Sequence, residues 1–143
     1  MEEPERDALQ RAVVTFSLYD DALDPAEISR LLCAEPHQAV RMGELVRGHN
    51  QQPRVAPTGR WNVTTGWETA PLLGRQIESL LVKMTNDLAV WREVEQRFET
   101  LVTVGGHFED WTGGFFLPLT TLVALSERRL EIDFDLYANG SDD

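Results

Sequence analysis

The sequence predicts a two-layer α+β domain: a four- or five-stranded, mostly antiparallel sheet with its helices on one face, ferredoxin-like in spirit. Three observations predict it. Segments that alternate apolar and polar side chains open and close the chain. Between them lie stretches whose apolar residues recur every three or four positions. The length, 143 residues at 42% hydrophobic and 26% charged, suits one domain with one core.

The first strand is Ala12 to Tyr19, where Val14, Phe16 and Leu18 alternate with Thr15, Ser17 and Tyr19. A helix start follows at Asp24-Pro25-Ala26-Glu27: Asp24 caps free amides, Pro25 suits the first turn, and Glu27 stands three residues on, as in a capping box. Ile28, Leu31 and Leu32 are its apolar stripe, Cys33 extends it as a small core hydrophobe, and Pro36 ends it. Gln38 to Val46 reads as a short strand burying Val40, Met42 and Val46, and 47–60 as a long internal loop. Arg60 to Thr65 has strand composition and stops at Gly66.

Pro71 to Phe98 is the main helical region, carried by Leu73, Ile77, Leu80, Leu81, Met84, Leu88, Trp91, Val94 and Phe98. Thr85-Asn86-Asp87 leaves open whether it is one helix or two. A strand with a glycine pair at its middle runs from Leu101 through Gly105-Gly106 to Glu109. Pro118 to Arg128 is a short helix with Leu119, Leu122, Val123 and Leu125. The last strand is Glu131 to Tyr137, with Ile132, Phe134 and Leu136 inward and Glu131, Asp133, Asp135 and Tyr137 outward. Residues 12–137 thus form one domain, flanked by flexible tails at 1–11 and 138–143.

Asp24-Pro25, Glu27-Ile28, Leu31-Leu32, Glu35-Pro36, Gly43, Gly59-Arg60-Trp61 and the terminal Glu131 to Tyr137 resemble the bacterial domain-of-unknown-function family numbered 4279. The likeness runs from about Thr15 to Tyr137. It implies a fold and a bacterial origin and supplies no catalytic residue.

Thirteen Lys and Arg against 24 Asp and Glu make a net charge of −11, which argues against nucleic acid and anionic membrane as partners. No run of apolar residues is long enough to span a bilayer, and the acidic Met1-Glu2-Glu3-Pro4 start is unlike a signal peptide, so a cytoplasmic location is expected. The single cysteine makes no internal disulfide. Phosphate-loop, Gly-x-Ser-x-Gly and His-Glu-x-x-His motifs are absent, so the reading leans away from an enzyme and requires no cofactor.

Two constellations remain. His107 and Glu109 share a strand face at i, i+2 spacing. Should that strand lie beside the last one, His107, Glu109, Asp133 and Asp135 are the candidate ligand or metal set, against the simpler reading of a solvated sheet face. The second is charge. Arg41, Arg47, Arg54 and Arg60 against Glu44 make a local +3, so the rest of the −11 chain carries −14. Among the aromatics, Trp61 and Phe116 are expected in the core, with Trp67 and Phe115 near glycines and Trp111 on a turn at the sheet edge. The candidate interface is Glu131, Asp133, Arg54, Arg60 and Trp111; the simpler readings are that Arg60 packs over Trp61 or pairs with Asp135, and that Asp135 pairs with Arg60 or a turn amide. The leading expectation is a non-enzymatic, immunity-like module that binds a basic protein partner. The alternatives are a small-ligand or metal site on the polar sheet face and self-association through a sheet edge.

Overall fold

The computed structural model describes residues 8–47, 52–111 and 113–138. The protein is α+β. Among the described residues its elements are β1 (Leu9–Asp20), α1 (Pro25–Leu32), β2 (Gln38–Val40), β3 (Leu45–Arg47), β4 (Pro53–Val55), β5 (Gly59–Thr64), β6 (Glu68–Thr69), α2 (Leu73–Leu81), α3 (Leu88–Arg97), β7 (Glu99–Phe108), α4 (Leu119–Glu127) and β8 (Ile132–Ala138). The main sheet has six strands in the order β2-β5-β1-β7-β8, with β6 added alongside β1, and β3 and β4 form a separate two-stranded sheet.

The sheet is mixed and not a closed barrel. β1 pairs antiparallel with β5, β6 and β7, whereas β7 and β8 run parallel. The ferredoxin-like expectation is corrected here. Split βαβ units place parallel strands around the crossover helices, but the long central strand β1 has only antiparallel neighbours among the described residues.

β1 starts at Leu9, so residues 9–11, expected in the tail, belong to the sheet, and Leu9 is buried. A register shift between Leu9 and Arg11 explains why the alternation visible from Ala12 onward does not extend back cleanly. Ala138, expected to open the C-terminal tail, ends β8, while 1–7 and 139–143 of the expected tails and loop positions 48–51 lie outside the described residues. The loop expected at 47–60 contains β4 and begins β5. All three β4 residues are exposed, so that strand carries no alternation to read. Gly43 turns the chain between β2 and β3 with φ of 90°, and Met42 is half exposed rather than buried.

One core joins the buried side chains of all four helices to one face of the main sheet. Ala12, Val14, Phe16 and Leu18 of β1 meet Trp61 and Val63 of β5, Val102 and Val104 of β7, Ile28 and Leu32 of α1, Leu73, Ile77, Leu80 and Leu81 of α2, Trp91 and Val94 of α3, and Leu125 of α4. Phe16 sits at its centre, edge-on to Trp61 at 6.2 Å and Trp91 at 5.6 Å. Both indole N–H groups are satisfied, Trp61 donating to Ser29 Oγ and Trp91 to the Thr85 carbonyl.

The helical region 71–98 is two helices. Asp87 begins the second by accepting from the Ala89 amide at 3.0 Å. At α1, Asp24 caps the Ala26 amide, while Glu27 ion-pairs with Arg97 at 2.9 Å. α1 stops at Leu32, four residues before Pro36, because Cys33 adopts φ of 55°, and Cys33 is exposed rather than in the core.

α4 departs furthest from its apolar pattern. Thr121 and Leu125 are its buried residues, and Leu119, Leu122 and Val123 face outward. Its contact with α2 is close enough that a Cβ on Gly74 would lie 2.6 Å from Pro118 Cδ. Thr121 donates to Glu78 of α2 across the same contact. A polar anchor and a glycine, rather than a leucine stripe, therefore set which side of α4 docks. Phe116, expected in the core, is half exposed.

Candidate functional site

The second face of the main sheet is polar. Pairing aligns Thr15 of β1 with Thr64 of β5 and Thr103 of β7, and Thr103 with Asp133 of β8. One step along β7, Gly105 stands between Val13 and Asp135, and a further step brings His107 between Arg11 and Tyr137. These positions repeat every second residue along each strand, so their side chains share one face.

Gly105 makes a depression in this face. A Cβ there would stand 3.3 Å from Val13 Cγ1 and 3.8 Å from the far edge of the Trp67 ring. The groove is about 440 Å³ and is lined by Val13, Thr15, Thr103, Gly105, Asp133 and Asp135. Neither Asp133 nor Asp135 has an ion-pair partner among the described residues, and both are exposed.

A row of rings bounds one end. Trp67 lies 5.7 Å from His107, and His107 stacks on Tyr137 at 5.6 Å. The Arg11 guanidinium lies 4.8 Å from the Trp67 ring centre, a cation–π contact. The Tyr137 hydroxyl donates to Asp135 Oδ2 at 3.1 Å. That hydrogen bond, and the carboxylate charge that would repel a phenolate, raise the Tyr137 pKa above its ordinary 10.0.

The structure brings His107, Asp133 and Asp135 to one face of adjacent strands. It places Glu109 past the end of β7, exposed in a bend. Among the described residues no three His, Cys, Asp or Glu side chains group as a metal ion would require. Glu131 is exposed just before β8, and Trp111 is 75% exposed beyond β7.

Arg60 hydrogen-bonds Gln38 Oε1 at 2.7 Å, and Asp135 accepts from Tyr137. The expected Arg60–Asp135 pairing is therefore corrected: β1 and β7 separate β5 from β8. Arg54 is exposed on β4, in the small sheet. The arginines of 41–60 accordingly do not join the β8 carboxylates, and Arg41 instead pairs with Asp24 at 3.2 Å.

Arg11 and the ring row were not assembled from sequence. The available signal was the glycine pair in β7, which marks close approach on both faces. Gly105 opens the groove, while a Cβ on Gly106 would meet Leu9 and Leu136 on the core side.

Fold and site together define an α+β protein with a mixed sheet and a groove on its polar face. The chain belongs to the domain-of-unknown-function family DUF4279, whose model matches residues 10–139. No curated protein and no solved structure matches it. Among the described residues no helix is long and apolar enough to cross a membrane.

Proposed function

We propose that this protein is a non-enzymatic binding module, immunity-like in using an acidic surface against a basic protein partner, and that the polar face of its main sheet is the binding surface. In this reading the domain is two-layered, the helices cover one face of the sheet, and the other face is left for the partner. The observation that carries it is the pair of exposed carboxylates, Asp133 and Asp135, without ion-pair partners among the described residues and beside a groove floored by a glycine. A lysine or arginine of the partner would lay its aliphatic stem over Gly105 and Val13 and bring its charge to the carboxylates. The chain's net −11 adds long-range attraction for such a partner.

The test is affinity capture from native lysate with wild-type protein and with an E131Q/D133N/D135N variant, which keeps side-chain shape while removing charge. Proteins held by the wild type at low salt, released at high salt and missing from the variant are the expected result. Raising salt from 0.1 M to 1 M shortens the Debye length from about 10 Å to about 3 Å, so association with a captured partner should slow steeply while dissociation changes less. Equal retention by both proteins, or an association rate indifferent to salt, refutes the reading.

A second reading is favoured by the Trp67–His107–Tyr137 row, whose half-exposed outer rings offer a stacking surface for a small planar ligand. It predicts ligand-dependent quenching of indole fluorescence that disappears in Trp67→Leu.

A further inference from the structure

Strand β8 is an edge. In the sheet order it has β7 on one side and no described strand on the other. The Val102 amide donates to the Glu131 carbonyl, and the parallel register pairs Val102 with Ile132. In such a ladder alternate residues serve the neighbour. Asp133, Asp135 and Tyr137 thus turn their main-chain groups to β7, and those of Ile132, Phe134 and Leu136 point away from the sheet. No described backbone group bonds them there.

The two flanks of this edge differ. On the polar face stand Asp133 and Asp135. On the helix side stands α4, whose Leu119, Leu122 and Val123, spaced three and four apart, form one exposed apolar stripe at 73%, 47% and 42% exposure. A hollow of about 740 Å³ joins α4 to the start of β8, lined by Leu122, Leu125, Leu130 and Ile132 and by the charged Glu95, Arg129 and Glu131. A helix normally turns its apolar stripe to the core; here Leu122 of the stripe lines a hollow that reaches Ile132 at the start of β8.

A strand added along β8 would present alternate side chains to these two flanks. Those on one face would stand opposite Asp133 and Asp135, and those on the other would stand beside Ile132, Phe134 and Leu136, next to the hollow that Leu122 lines. A second copy of this chain is the wrong occupant. Antiparallel pairing of β8 with its own copy sets carboxylates directly opposite carboxylates, which destabilises the pair and guards the edge against self-association.

We infer that the β8 edge accepts an extended segment of another protein as an added strand, with basic side chains on the polar face and apolar side chains toward α4. This inference rests on the reading of the polar face as the surface for a basic partner and names how that partner is held.

The experiment uses the full chain and two labelled peptides the length of β8, which has seven residues. One alternates Lys-Val-Lys-Val-Lys-Val-Lys, and the other has the same composition in blocks, Lys-Lys-Lys-Lys-Val-Val-Val. Binding is read by fluorescence anisotropy, and hydrogen exchange is followed at the Ile132, Phe134 and Leu136 amides. The expected result is tighter binding of the alternating peptide, by about tenfold or more, since only it matches both flanks. Exchange at those three amides should slow when it binds. Leu122→Glu, at an exposed position, should weaken the alternating peptide and leave the blocked one unaffected.

Salt-sensitive binding of both peptides with equal affinity, and no slowing at the three amides, overturns strand addition while leaving the acidic-face reading intact. Failure of both peptides to bind at low salt overturns both. A concentration-dependent dimer in sedimentation that Leu122→Glu abolishes would show that a second copy occupies the edge, and would overturn the inference.

Discussion

Adjacent glycines on β7 should respond unequally to one methyl group. Neither Gly105 nor Gly106 has a left-handed φ, so alanine meets no backbone strain at either position. At Gly105 the new Cβ faces the groove, 3.3 Å from Val13 Cγ1 and 3.8 Å from Trp67. Only the first contact lies inside the ordinary carbon–carbon separation of about 3.5 to 4.0 Å, and Val13 is only partly buried. The contact offsets a gain of about 0.4 to 1 kcal/mol from restricting the unfolded chain. Gly105→Ala should therefore lie within about 0.5 kcal/mol of wild type.

At Gly106 the Cβ faces the core side, 3.1 Å from Leu9 Cδ2, 3.1 Å from Leu136 Cδ2 and 3.3 Å from the Arg11 carbonyl oxygen. The carbonyl belongs to a paired strand and cannot rotate aside, and Leu9 is buried. Relief requires moving β1 from β7 or displacing both leucines, an overpacking cost of about 1 to 3 kcal/mol. Urea unfolding followed by circular dichroism measures both variants. The midpoint should move for Gly106→Ala with little change in slope and stay nearly constant for Gly105→Ala. Were Gly105→Ala the more damaging, the two faces of β7 would be assigned in reverse and the groove would be part of the core.

Further outcomes follow from the same contacts. Phe16→Ala, which empties a fully buried site between two indoles, should cost about 3 to 5 kcal/mol by urea unfolding. Phe134→Ala should cost less, about 1 to 3 kcal/mol, because that ring is only partly buried, at the margin of the core and 5.1 Å from the Phe115 ring. Gly74→Ala should destabilise by about 1 to 3 kcal/mol, since its Cβ would meet Pro118 and Thr121 at 2.6 and 2.8 Å. Tyr137 should ionise above its ordinary 10.0, seen as a delayed rise in ultraviolet absorbance, and Asp135→Asn should bring it back down. Because the folded pKa is raised, this hydrogen bond supports folding below the unfolded tyrosine's pKa. Its support is lost as pH rises through the folded value.

Local chemistry was legible in the sequence wherever near neighbours decide the conformation. The alternation of Val14, Phe16 and Leu18 assigned the core face of β1, and that of Ile132, Phe134 and Leu136 assigned the inward face of β8, because period two is a property of the strand itself. Asp24 marked the start of α1, and Thr85 to Asp87 marked the place where the long helical pattern could divide, because short polar side chains cap backbone amides within a few residues.

Which strands lie side by side was decided only in tertiary structure. The groove and the ring row at its end are made by residues of β1, β7 and β8 together with Trp67, brought together by antiparallel pairing on one side of β7 and parallel pairing on the other. No local period encodes that register. The same reason governs α4. Four apolar residues predicted its helix, but the side facing the core was set by Thr121 against Glu78 and by the space above Gly74, both on a helix more than 40 residues earlier. The sequence by itself determined what each segment can form and which face of the strands is apolar. The tertiary structure decided which polar side chains meet, and which apolar stripe is left outside, because those outcomes depend on contacts between segments far apart in the chain.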